Sequence, residues 1–562
     1  MSVKSKKTER FRVLFEKNKR FRIISIIAGL LVAALILGIF SFAMSRMETS
    51  GKITAAISVE PETLDPTFCE DGETETILVN CFEGLMKIDE NGDAVKAAAS
   101  DYTVSKDGKV YTFTISSDAK WSNGKEVLAS DFVYSWQRTA NPYNSSAYAY
   151  MFENIKGYDE VLEDFEKEQN KETDEEGNYI KMKMSKLWVK AADSRTLVVK
   201  LKEKDPSFLH KCASVAFLPL CEDVVKPNTR IWSTDPELFV SNGAFVLSSW
   251  TQGSYLDLLP NENFRDSNNV KLKSMKFRFV SDGSEALQMF NDSDVLFSSV
   301  IPEEKLEQTA RKKEYVSYEE LGTYFLYFNQ SKKPFNDARV RQALTLAIDR
   351  EKLIDETASS RGNAASALIS DGFSSFRENG GEFFDVTDHK ANKAKAKQLL
   401  KEAGYENGEG FPEFEYLFND NTYSRETAEL LQKMWKKNLG INCVLKSVSW
   451  SKLDEMREKG DFTVAKGGLI SPYNDVGFIL EKFSSENNFC SWQNKEYDKL
   501  VSQTINNQPE KAHAAEKILM ENWVICPLYY YADGYLASKR IENYYVTNSG
   551  VAYFMYADVN VF

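Results

Sequence analysis

The chain has 562 residues, of which 43% are hydrophobic, 13% aromatic and 27% charged. That much apolar material has to be buried, which excludes a disordered or fibrous protein, and the length allows three or four folding units. With 83 acidic and 70 basic side chains the net charge is −13, which argues against a nucleic-acid partner, because such affinity rests on basic surface.

The charge is unevenly placed. Residues 1–22 carry nine basic and two acidic side chains, a net +7 that leaves −20 on the other 540 residues. The uncharged run Ile23–Met44 follows, 22 residues long. At about 1.5 Å per helical residue it reaches about 33 Å, enough to cross a bilayer. The basic flank is expected to stay cytoplasmic, which places the bulk of the chain outside. The length of the run points to a retained anchor. The alternative is a cleaved signal peptide ending at Ser41-Phe42-Ala43. Lipidation is not expected, because the first cysteine is Cys69, far from the apolar run. The seven cysteines are sparse, odd in number and without a Cys-x-x-Cys pair, so neither a disulfide scaffold nor a zinc ribbon is indicated.

From Lys52 to Val59 the pattern predicts a strand closed by Pro61 and Pro66. The stripe Ile77, Leu78, Cys81, Phe82, Leu85 predicts a helix over Thr74–Lys87. A hairpin strand is expected at 107–115 behind Asp107-Gly108, and a helix at Ser130–Arg138 with Ser130 or Asp131 as its N-cap. Residues 161–178 hold eight acids and two lysines, and read as a solvated insertion within 159–186, a charged helix or loop. Further strands are expected at Thr196–Leu201 and Tyr324–Phe328, and helices at Asp337–Arg350 and Arg425–Leu439. The mixed pattern, with no internal repeat and no Gly/Ser linker, predicts α/β domains that the chain visits more than once.

Catalytic signatures are missing. His210, His389 and His513 stand far apart with no carboxylate or cysteine at metal-ligand spacing. The sequence has no phosphate-binding Gly-rich loop, nucleophile elbow, zincin helix or dinucleotide fingerprint. A binding protein without cofactor or metal is expected rather than an enzyme.

Several segments together resemble the bacterial extracellular solute-binding proteins of family 5, the oligopeptide receptors of ABC importers. They are EPETLDPT (60–67), LVNCFEGLMKIDENG (78–92), the most specific stretch at 107–138 with its YTF, KW-S-G and DFVYSW, SNGAFVLSSW (241–250), PFNDARVRQALTLAIDR (334–350), MWKKNLGINCVLKSVSW (434–450) and ICPLYYY (525–531). The resemblance implies an α/β, bilobed periplasmic-binding-protein-like fold, type II, of the peptide-binding branch, with one N-terminal transmembrane helix before it. Lobe one would comprise 52–82, 225–321 and 533–562; an extra domain 83–224; lobe two 322–532. It implies a monomer that delivers oligopeptides to ABC permease subunits, with no nucleic-acid partner. A same-fold sensor, signal-peptide or other-solute receptor is the first alternative, and a surface hydrolase or chaperone the second.

Carried over residue by residue, the resemblance assigns Glu70, Asp71 and Gly72 after the LDP motif, and Tyr148 after the DFVYSWQR helix, to the ligand pocket. The crossover into lobe two would be Gly322, Thr323, Tyr324 and Phe325. Trp450, Arg457 and Lys466 would line the pocket, followed by Gly467, Gly468, Leu469 and Ile470. Arg457, Lys466 and Arg425 would face the ligand's carboxylate. Tyr473, Asn474 and Asp475 belong to a turn in which such receptors hold the α-ammonium with an Asp; here that place is Pro472. Asp475 or Glu70 would have to substitute, or the ligand is blocked, longer or not a peptide. Two cysteines that can bridge the strands in relatives are replaced by Gly322 and Ile470. Purely structural readings stand beside these. Trp121, Trp136 and the 324–328 aromatics read as core. Arg339 and Arg341 read as helix-surface or interdomain ion pairs, Gly467 and Gly468 as turn formers, and Arg457 and Lys466 as solvated charges.

Overall fold

The computed structural model describes residues 51–357, 362–370, 372–373, 376, 382–503 and 508–560. The basic stub and the apolar run at 23–44 therefore lie outside the described residues, among which no helix is long and apolar enough to cross a membrane.

One sheet of 11 strands runs through the molecule. In chain order its strands are β1 (Lys52–Ile57), β2 (Phe245–Thr251), β3 (Tyr255–Pro260), β4 (Ser274–Phe279), β5 (Phe297–Ser298) and β6 (Tyr315–Phe328). They continue with β7 (Asn363–Ala364), β8 (Phe414–Asn419), β9 (Cys443–Val448), β10 (Val464–Ile470) and β11 (Ile525–Ala537). Across the sheet the order is β9-β8-β10-β6-β11-β5-β1-β4-β3-β2, with β7 on β11. The long strands β6 and β11 belong to both halves. Tyr315–Glu319 pairs with Ala532–Leu536 beside β5, and Thr323–Tyr327 pairs with Ile525–Tyr530 beside β10. Between Glu319 and Thr323 the register slips, which bends a ladder locally. A second shift follows between Tyr324 and Phe325.

The expected strand at 324–328 is thus the buried end of a 14-residue strand. Its side chains alternate as a strand buried on both faces requires. Tyr324, Leu326 and Phe328 enter one core, and Phe325 and Tyr327 the other. A separate, larger core surrounds β1 and β4 and continues into residues 97–225.

In that region a four-stranded antiparallel sheet is built from Ala99–Val104, Val110–Ile115, Thr196–Lys200 and Val189–Ala191. Trp121 and Trp136 are core, as expected, and their indole N–H groups donate to Asp131 (2.9 Å) and to the Phe217 carbonyl (2.9 Å). Asp131 also accepts from the Leu128 N–H at 2.9 Å, so helix α2 (Ala129–Thr139) is closed from its third residue. The LDP motif serves the fold, because Asp65, 2% exposed, binds Arg138 of α2 through both oxygens at 2.7 Å. The acidic insertion forms a helix, Tyr158–Gln169, followed by a loop.

Three expectations are corrected. The helix expected over Thr74–Lys87 is α1 (Gly72–Cys81), after which Met86–Ile88 is a strand. Leu85 extends the helical stripe in sequence because it enters the same core from extended chain. The helix expected over Asp337–Arg350 is two, Ala338–Leu346 and Arg350–Glu356, because Asp349 caps a new start by accepting from Lys352 N–H. Arg339 does pair with Asp337, but Arg341 is buried and donates to the carbonyls of Phe335, Asn522 and Trp523 instead of an acid. Burial lowers its pKa to about 10.

Candidate functional site

The β6–β10 pairing sets one group of the expected site residues side by side. Gly322 lies opposite Ile470, Thr323 opposite Leu469, Tyr324 opposite Gly468, Phe325 opposite Gly467 and Leu326 opposite Lys466. Gly322 and Ile470 are therefore direct cross-strand neighbours. Gly467 and Gly468 are not turn formers. A Cβ on Gly467 would lie 2.4 Å from the Phe325 ring, and one on Gly468 2.5 Å from the Tyr531 hydroxyl, so close packing demands glycine at both. Tyr324 is buried and stacks on Tyr529 with centroids 4.9 Å apart. Ile470, by contrast, is 52% exposed at the strand end.

Helix α4 (Trp450–Glu458) starts at the Ser449 cap, after β9. Two helical turns bring Trp450 and Arg457 to one face. Trp450 is 55% exposed, so it lines a surface and is not core. Arg457 is buried; it pairs with Asp454, donates to the Lys466 carbonyl at 3.1 Å, and keeps a buried Nε without a partner. Its guanidinium lies 5.8 Å from the Trp450 ring.

Lys466 completes the cluster. Its ammonium donates to Asn419 Oδ1 (2.7 Å) and Ser424 Oγ (2.9 Å), 5.2 Å from the Tyr324 ring and 5.4 Å from the Trp450 ring. Burial first, then the nearby Arg457 charge, lowers its pKa to about 8. Among the described residues it has no carboxylate partner. Neither Arg457 nor Lys466 is simply solvated. Arg425, in the first turn of helix α3 (Thr422–Leu439), is half-exposed and held by Asp420 at 2.5 Å.

After the LDP motif Glu70 is exposed, Asp71 caps α1 by accepting from Thr74 N–H at 2.8 Å, and Gly72 opens the helix, where a Cβ would meet the Ser549 carbonyl at 3.8 Å. Tyr148 donates to Glu75 Oε1 at 2.6 Å. Burial raises the Glu75 pKa and the Asp71 charge adds to this, while the Tyr148 bond opposes both. Sequence reasoning missed Glu75. Its partner is 73 residues away, and no local spacing links them.

The 471–475 turn is held by contacts within the protein. Lys211 Nζ sits 5.7 Å from the Tyr473 ring, and Asn474 Nδ2 donates to the Gly92 carbonyl at 3.3 Å. Asp475 is buried and caps the helix Val476–Glu481 through Gly477 N–H at 2.7 Å. The turn thus rests on the 83–224 region.

Residues 70–75 thus hold four carboxylates, while α4 and β10 bring Arg457 and Lys466 beside the exposed Trp450. Residues 93–490 match the model of the bacterial extracellular solute-binding proteins, family 5 Middle, which is more than half of the chain. The chain belongs to the family 5 solute-binding proteins. A curated relative is the oligopeptide-binding protein OppA of Bacillus subtilis, 28% identical over 94% of this chain and 98% of that protein. Among solved structures, the murein tripeptide binding protein MppA in its unliganded open form aligns with a TM-score of 0.80 at 28% identity, covering 91% of this chain and 97% of that one. Listeria monocytogenes OppA bound to peptide gives 0.60 at 25% identity, over 91% and 99%.

Proposed function

We infer that this solute-binding protein captures oligopeptides between its lobes and delivers them to an ABC permease. The observation that carries this reading is Lys466, a half-buried cation with hydrogen bonds to neutral groups and no acid among the described residues, set beside an exposed tryptophan. A ligand carboxylate would supply the charge-assisted partner it lacks. Main-chain pairing at the β6–β10 end would hold an extended ligand regardless of sequence, as strand addition does. The relatives point the same way, being named as oligopeptide- and dipeptide-binding proteins. Within this reading the lobes are 52–82 with 225–321 and 533–562, and 322–532. Residues 83–224 are the extra domain. The 23–44 run anchors a monomeric, extracytoplasmic receptor. Lobe closure, and not bond cleavage, is the output read by the permease.

The test is thermal denaturation of the full chain with a pool of di- to octapeptides. At a hundredfold excess over Kd, binding stabilises the native state by about 2.7 kcal/mol, a clear rise in Tm. An unchanged Tm across the pool would remove the peptide assignment.

A further inference from the structure

A cavity of about 460 Å³ is lined by residues of the helices Arg350–Glu356, His389–Glu402 and α3 and of the turn before the first of them, and it shares no residue with the candidate site. Small-molecule pockets span about 300–1,000 Å³. The buried part of its lining is apolar: Leu346, Ala347, Ile348, Leu430 and Met434. Five lysines complete it, Lys352, Lys390, Lys433 and Lys437 exposed and Lys393 half-buried. The two acids in the lining are engaged. Glu356 pairs with Lys352 at 3.4 Å, while Asp349 accepts from Lys352 N–H at 3.0 Å and lies 3.3 Å from His389 Nε2. Among the described residues the other four lysines have no ion pair.

These four run against helix stability. Lys390 and Lys393 stand three apart at the start of a helix with no acid in its first turn, where the macrodipole favours anions. Lys433 and Lys437 stand four apart on α3, so two like charges share one face. His389, at the same helix start, keeps its Nδ1 buried without a hydrogen-bond partner.

We propose that this cavity binds a phosphate ester carried on an apolar chain, the anion held by Lys390, Lys393, Lys433 and Lys437 and the chain lying on Leu430, Met434 and the 346–348 stretch. Five lysines against two acids leave a surplus of +3 in the lining with His389 neutral. A phosphomonoester brings about −1.5 to −2 at pH 7, where a carboxylate brings a single charge. Lysine ammoniums act as point charges that any of the phosphate oxygens can accept from. The bound anion relieves both like-charge pairs and complements the helix start, so the lysines that cost stability in the free protein contribute it in the complex. A free alkyl phosphate and the headgroup of an anionic phospholipid share this chemistry. The site does not depend on the peptide reading, because it lies outside the residues assigned to the peptide.

The test is calorimetric titration of the full chain in non-ionic detergent with hexyl phosphate, dihexanoyl phosphatidate, inorganic phosphate and hexanol. Binding of hexyl phosphate, of the phosphatidate or of both is expected, weakening as salt rises from about 0.1 M to 1 M. The first alone supports the site with a free ester as its ligand, and the second alone supports it with a lipid headgroup. The double variant Lys433→Gln, Lys437→Gln should bind about 10- to 100-fold more weakly, and Lys433→Arg, Lys437→Arg should retain most of the affinity. Removing a like-charge pair from an exposed helix face should leave the Tm of the unliganded protein unchanged or higher, which separates lost binding from lost fold. Binding of neither ester, equal binding of hexanol, or undiminished binding by the glutamine variant overturns the site. Inorganic phosphate binding as tightly as hexyl phosphate overturns the role of the apolar chain.

Discussion

Lys466 shows how a single side chain carries the chemistry of a cleft. Its ammonium is solvated by Asn419 and Ser424, packed near two rings, and left without an acid among the described residues. The sign of the resulting linkage follows from the two states. The unfolded lysine keeps its proton to about 10.4, whereas the folded one releases it near 8. Between these values the unfolded chain binds more protons, so stability of the unliganded protein rises with pH there. A bound carboxylate restores the proton, so peptide affinity is highest below pH 8 and declines above it. Lys466→Met should weaken peptide binding by about 10- to 100-fold and abolish that decline, measured by titration at pH 7 and pH 9.5. The resemblance makes Lys466, Arg457 and Trp450 legible because they fall in one continuous stretch. The Glu75–Tyr148 pair is not legible in sequence, since it exists only once separate chain segments meet.

At the scale of elements, local patterning is legible where one face stays in one core. The strand at 196–200 and the helix ending at Leu439 keep their expected places. Patterning misleads where apolar residues continue past a break, as at Leu85, or where a cap restarts a helix, as at Asp349. The first half of β6 has no strand signature because Tyr315–Glu320 is only partly buried or exposed and lacks a clean alternation. The LDP loop illustrates a motif whose reason is structural. Asp65 fastens Arg138 of α2 in a pair whose side chains are 3% and 11% exposed, and Trp232 adds a bond at 3.3 Å. Asp65→Ala leaves that guanidinium buried and uncompensated. A loss of about 3–5 kcal/mol is expected, read by chemical denaturation, with the greatest effect on the docking of 83–224 onto β1 and its neighbours.

For the whole molecule, the net charge of −13 describes neither wall of the cleft. Acidic residues concentrate in the exposed stretch after Tyr158, and 70–75 holds four carboxylates, whereas 450–466 balances four cations against four acids. Two long strands, β6 and β11, are shared by both halves, and their ladder shifts register between Glu319 and Thr323 and again between Tyr324 and Phe325. The most direct test of peptide capture is mass spectrometry of small molecules released on denaturing the full chain purified from cells. A set of short peptides is expected. Recovery of a single non-peptide solute would contradict the peptide-receptor reading.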